Sequence, residues 1–269
     1  MEIEIIFFII LGIIAGTFSG MFGIGGGVFV VPFLSIIFNY MGFEKTLIIK
    51  YSIATSLSIM VLTSISSFYF HYKNKNVIFE ILKKIIFFMI FGTIIGTIFA
   101  HFLKSEVLTI LFAVFLLLIS IKMFIGFNIK KRKKVIYPSL KILSFFGSII
   151  GLKSGLLGIG GGSLSVPMLS YFGYPMRKAA GTSSSFTLII SIVGTVSYII
   201  LGSQMQSQKD FLGYIYIPAF LITSIFSYVF ANVGARLANI ISNKLLRIMF
   251  AVFLLLLSLK MFFFDLIFS

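Results

Sequence analysis

One residue in this chain has chemistry that does not match its surroundings. Lys153 lies in the apolar run from Ile142 to Gly162, seven residues before Gly160. An ionisable side chain at membrane depth is by default a functional candidate. The plainer reading has its ammonium snorkelling to the interface or pairing with backbone carbonyls. Beside it stands Gly160-Gly161-Gly162, and a matching Gly25-Gly26-Gly27 occurs in the first half. Each glycine costs a helix about 1 kcal/mol relative to alanine, so three in succession should interrupt it. Unwound backbone exposes N–H groups, and a helix restarting after the break presents the positive end of its dipole. Together these make a pocket for an anion. Thr55, Ser56, Thr182 and Ser183 add hydroxyl donors, although such hydroxyls in membrane helices often bond their own backbone.

Other chemistries are poorly supplied. The acidic residues are Glu2, Glu4, Glu44, Glu80, Glu106, Asp210 and Asp265, and none lies near the middle of an apolar run. An embedded carboxylate relay for protons is therefore not expected. Cysteine is absent, and His71 and His101 sit at the ends of apolar runs without a ligand partner at metal spacing. No metal and no cofactor are expected. Two Gly-x-x-Ser-Gly stretches, Gly16 to Gly20 and Gly151 to Gly155, have no histidine placed to act as a base. The chain does not read as an enzyme.

These residues sit in a duplicated frame. Gly12 to Ser35 returns as Gly147 to Ser170 at an offset of 135, with 14 of 24 positions identical and all seven glycines in register. Ile53-Ala54-Thr55-Ser56 matches Ala180-Gly181-Thr182-Ser183, and Phe112 to Phe124 matches Phe250 to Phe262 at 11 of 13 positions. A repeat of this extent is read before anything else. The predicted organisation is a first transmembrane repeat over residues 1–127, a basic linker over 128–137 and a second repeat over 138–269. Gly12, Gly16, Gly20 and their partners Gly147, Gly151 and Gly155, spaced four apart, suit close helix packing.

The chain of 269 residues is 59% hydrophobic and 11% charged, with a mean hydropathy of +1.14. A soluble domain carries roughly 25% charged residues, so the predicted fold class is an all-α integral membrane protein. Each repeat should hold about four transmembrane helices and one glycine-broken or re-entrant helix. Long spans are expected from Ile3 to Phe22, Tyr51 to Phe70, Ile85 to Leu103, Val107 to Phe124, Ile142 to Gly162, Ala180 to Leu201, Phe211 to Ala235 and Leu246 to Phe268. Val28 to Tyr40 and Ser163 to Phe172 are short pieces, with Pro32 in or near a restarted first turn. The acidic N-terminus lacks the basic stretch of a cleaved signal peptide.

The net charge of +15 resides in loops, which points to cytoplasmic loops rather than nucleic acid. Eight spans with both termini in the cytoplasm place the basic loops after Phe70 and Phe124 inside, but put Arg236, Lys244 and Arg247 outside. Counting the short pieces as half-spans gives inverted halves instead. Both arrangements stay open at this point.

The paired Gly-Ile-Gly-Gly-Gly, each followed by Val-Pro, together with Ala54-Thr55-Ser56 and Gly181-Thr182-Ser183, resembles the TauE/SafE sulfite exporter family over essentially the whole chain. The resemblance implies a multi-pass permease of the bacterial inner membrane for sulfite, thiosulfate, sulfoacetate or related organosulfonates. It also implies that the two glycine-rich segments face each other across the substrate path. Lys153 is not implied by the resemblance. The partners expected are a small anion and the lipid bilayer, and a homo-oligomer is compatible with the sequence. Alternating access by one half rocking against the other is the expectation from repeat-built transporters. A small-carboxylate permease and a non-transporting membrane scaffold or receptor are the alternatives.

Overall fold

The structure is a computed structural model and describes residues 2–22, 26–125, 135–203, 209–240 and 243–268. Gly25 and the basic run Lys130 to Lys134 lie outside the described residues. Ten helices and one two-stranded hairpin follow in order: α1 (Glu2–Phe22), α2 (Gly27–Tyr40), α3 (Lys45–Lys73), α4 (Phe79–Phe102), α5 (Ser105–Ile125), α6 (Leu140–Leu157), α7 (Gly162–Tyr171), α8 (Met176–Leu201), β1 (Phe211–Leu212), β2 (Ile215–Tyr216), α9 (Ile217–Ile240) and α10 (Asn243–Phe268). Six of the described helices, α1, α3, α4, α5, α6 and α8, are long and apolar enough to cross a membrane. Their outward faces carry large apolar side chains such as Phe87, Phe91 and Leu118, as a lipid-facing surface requires.

Several boundaries differ from the sequence expectation. The stretch expected to open a span at Phe211 is instead the antiparallel pair β1–β2, and α9 starts only at Ile217. Gly213, at φ 60°, makes that turn in the left-handed region, and Pro218 occupies the first turn of α9, where a missing N–H costs little. Helix α3 begins at Lys45, so Thr55 and Ser56 lie well inside it and not at its start. Pro32 lies inside α2, beyond the first turn, because Gly26 already accepts from Phe29 and Val30 N–H at 2.9 and 3.1 Å and starts the helix early.

The short helices fold back on the long ones before them. Tyr40 meets Phe7 edge-on at 5.7 Å and Phe29 stacks on Phe18 at 4.6 Å, so α1 and α2 form an antiparallel hairpin with the glycine turn at its tip. Ile136 N–H donates to Phe172 O at 2.9 Å, which closes α6 and α7 in the same way. At 1.5 Å per residue, α2 and α7 run only about 21 and 15 Å. Each is too short to cross a core of about 30 Å.

The packing directions follow from which residues meet. Gly147, Gly151 and Gly155 of α6 lie against Ile85, Met89 and Thr93 of α4, and Gly12 and Gly16 of α1 lie against Thr223 and Ser227 of α9; both pairs run parallel. By contrast, α5 and α10 run antiparallel: Ser120 Oγ donates to Ala251 O at 2.7 Å and Ser258 Oγ to Ala113 O at 2.9 Å. Helices α3 and α8 are also antiparallel, with Leu57 against Gly194 and Ser64 Oγ 3.5 Å from Ser191 Oγ.

One face gathers the starts of α1 and α3 with the hairpin, through Phe8 on Tyr216 and Tyr51 on Phe211. The end of α4 joins them, with His101 Nδ1 2.9 Å from the Tyr214 hydroxyl. The other face holds the starts of α4, α6 and α8, through Lys84 over Tyr137 and Asn76 against Gly181. The start of α1 and the end of α10 therefore lie on the face opposite the end of α5 and the start of α6, unlike the eight-span arrangement, one of the two left open by the sequence.

Candidate functional site

The two hairpin tips meet. A side chain on Gly27 would run into Gly158 O and come within 3.1 Å of Ile159 Cα and 3.0 Å of Met60 Sδ. The glycine-rich breaks therefore touch backbone to backbone across the molecule, and only glycine permits that approach. Gly26, at φ 70°, and Gly158 and Gly160, at φ 67° and 76°, adopt the left-handed backbone that breaks each helix.

Lys153 is at this junction. Its ammonium donates to Gly160 O at 2.8 Å and to Ser163 Oγ at 2.6 Å, and lies 5.0 Å from the centre of the Phe115 ring. It is only 8% exposed and is the one buried charged side chain among the described residues. It lies about 20 Å along α6 from Leu140, far from the interface where a lysine snorkels. Its neighbour at 2.6 Å, Ser163, stands in the first turn of α7, the positive end of that helix. A cation beside a helix N-terminus stacks like on like.

Other polar groups converge here. Ser154 Oγ also donates to Gly160 O, at 2.9 Å, and Ser56 Oγ reaches across from α3 to Gly158 O at 3.0 Å. Gly161 N–H donates to Thr187 Oγ1 at 3.3 Å. Ser165 Oγ donates to Ser183 Oγ at 2.6 Å, fastening α7 to α8. Gly162 opens α7. Met60, Phe115 and Thr187 escaped sequence reading. Thr187 and Met60 occupy matched positions one turn beyond Ser183 and Ser56, and that offset is the signal that could have found them.

Thr55 and Thr182 are placed differently. Thr55 Oγ1 accepts from Tyr216 N–H at 3.1 Å, directly before α9, and Thr182 Oγ1 accepts from Ile78 N–H at 3.0 Å, directly before α4. Each therefore serves the start of a helix from the other half of the chain, where N–H groups lack intrahelical partners. Thr182 also donates its hydroxyl hydrogen to Lys178 O at 2.8 Å.

A family model described as sulfite exporter TauE/SafE matches residues 8–261. The chain belongs to the TauE/SafE family. It is similar to a probable membrane transporter protein of Methanocaldococcus jannaschii, 34% identical over 90% of this chain and 89% of that one. It is also similar to one of Haemophilus influenzae, 30% identical over 94% and 96% of the two chains. A shorter stretch, 29% of this chain, is 32% identical to an Arabidopsis thaliana protein described as sulfite exporter TauE/SafE family protein 5. No solved structure matches. As a member of the TauE/SafE family with six described helices long and apolar enough to cross a membrane, the protein is a multi-pass membrane protein of the cell membrane.

Proposed function

We propose that this TauE/SafE protein carries small sulfur-containing anions, such as sulfite, thiosulfate or organosulfonates, through a central site between its two hairpin tips. Lys153 supplies the positive charge. Gly26, Gly27, Gly160 and Gly162 supply backbone N–H groups and Ser183 a hydroxyl, Ser56 and Thr187 hold the α6–α7 tip through Gly158 O and Gly161 N–H, and Thr55 and Thr182 hold the helices that frame them. The observation that carries this reading is the burial of Lys153 at the N-terminus of α7 with carbonyl, hydroxyl and ring for company and, among the described residues, no carboxylate against it. A buried charge without a counter-charge is costly, and a bound anion removes that cost.

The same reading takes residues 1–127 and 138–269 as two homologous repeats of inverted topology. Sequence counterparts α3 and α8, and α5 and α10, pack antiparallel, as a pseudo-two-fold axis in the membrane plane requires. Of the seven acidic residues only Glu80 belongs to the face where α4, α6 and α8 start, while Lys73, Lys75, Lys83 and Lys84 share that face. That face is cytoplasmic by the positive-inside rule, and the termini and the β1–β2 hairpin lie outside.

The test is anion flux in proteoliposomes loaded with sulfite, thiosulfate or an alkanesulfonate. Flux of at least one of these, reduced tenfold or more by Lys153→Ala, is expected. Flux equal in the variant contradicts the role of Lys153, and no flux of any anion contradicts the proposal.

A further inference from the structure

The two hairpin tips are counterparts in sequence, yet they differ at three junction positions in the same sense. Lys153 corresponds to Phe18, Ser163 to Val28, and Thr187 to Met60. Each polar member belongs to the second half and each apolar member to the first. Their surroundings match in kind. The Lys153 ammonium lies over Phe115, whereas Phe18 stacks at 5.9 Å on Phe253, the counterpart of Phe115. Val28 is buried at 1% exposure. Thr187 uses its hydroxyl on Gly161 N–H, whereas the Met60 sulfur lies near positions 27 and 160 alike, at 3.0 and 3.2 Å from where their β-carbons would stand. Met60 thus stands between an apolar tip and the residue whose carbonyl receives Lys153.

We infer that the central site is polarised: the α6–α7 tip binds an acidic head group, and Val28 and Met60 at the α1–α2 tip receive an apolar substituent. The inference rests on the central-site reading and narrows its ligand to an amphipathic organic anion, in preference to a symmetric inorganic oxyanion. An oxyanion that is polar all round would set one side of its hydration shell against valine and methionine, which offer no hydrogen bond in return. An alkyl substituent placed there gains the burial of its methylenes instead.

The test is thermal stabilisation of the purified full-length protein by sulfate, methanesulfonate, ethanesulfonate and propane-1-sulfonate, each titrated to saturation. A ligand that binds only the folded state raises stability according to its concentration over its dissociation constant. Each added methylene should tighten binding about fourfold, with sulfate weakest. Met60→Thr, which installs the counterpart residue, should flatten the chain-length dependence. Lys153→Ala should lose the whole series. Affinity independent of chain length, or sulfate binding as tightly as propane-1-sulfonate, while Lys153→Ala still abolishes binding, overturns the polarity and leaves the central site standing. Absence of any Lys153-dependent stabilisation overturns the site and the polarity together. The wild-type series decides the matter even if Met60→Thr folds poorly.

Discussion

Lys153 and the pair Thr55 and Thr182 show how residues of similar promise take different work. All three stood out in the sequence as possible anion ligands, but only the lysine is buried beside the glycine break, donating to Gly160 O. The threonines each bond an N–H that precedes a helix of the opposite half. Removing such an acceptor leaves a buried N–H unpaired, at a cost of about 1–2 kcal/mol. Thr55→Val and Thr182→Val should therefore each lower stability by about that amount and by similar amounts, read as shifts in thermal unfolding with no anion present. Unchanged stability in both would contradict their capping role. The double variant should be close to additive, since the two bonds share no partner. The identity of these hydroxyls was legible in the repeated Ala-Thr-Ser and Gly-Thr-Ser, but their use was not. It depends on Tyr216 and Ile78, residues 161 and 104 positions away.

At the scale of elements, glycines divide into those that weld helices and those that turn the chain. At Gly151 a β-carbon would collide with Met89 O and lie 2.8 Å from Thr93 N, both backbone atoms that cannot rotate away. At Gly161 it would meet only side chains, Phe186 Cβ at 3.3 Å and Ile190 Cδ1 at 3.4 Å, with an ordinary helical φ of −75°. Gly151→Ala should cost at least about 2 kcal/mol, in the range of core overpacking, and Gly161→Ala about 1 kcal/mol or less. Comparison of unfolding midpoints checks this; equal effects would contradict the welding role. The spacing of four made these packing glycines legible, as it did the hairpin tips, because three glycines cannot serve one helix face. What the spacing could not reveal is the partner. The welds join α1 to α9 and α4 to α6, each across the repeat boundary. The β1–β2 hairpin was missed for a physical reason: Phe211 to Tyr216 is as apolar as the helix that follows, and only Gly213 interrupts it.

For the whole molecule, the proposed inverted arrangement has a direct topological consequence. In that arrangement the turn between α3 and α4 and Lys209, just before β1, lie on opposite sides of the membrane. The chain contains no cysteine, so Lys75→Cys and Lys209→Cys each create a single labelling site. Cysteine at 209 should react with an impermeant maleimide from outside intact cells, and cysteine at 75 only after permeabilisation; labelling of both from one side would contradict inversion. The duplication was plain in the sequence, but its sense was not, because it depends on whether α2 and α7 cross or return, and length alone leaves that open. The central claim is that an anion rests against Lys153 between the tips. It is tested most directly by an experimental structure of the protein with a selenium-containing oxyanion, located by anomalous scattering. A selenium peak within about 4 Å of the Lys153 Nζ, the range of a charge-assisted contact, is the expected result. A peak bound elsewhere, with the tips still closed on Lys153, would contradict it.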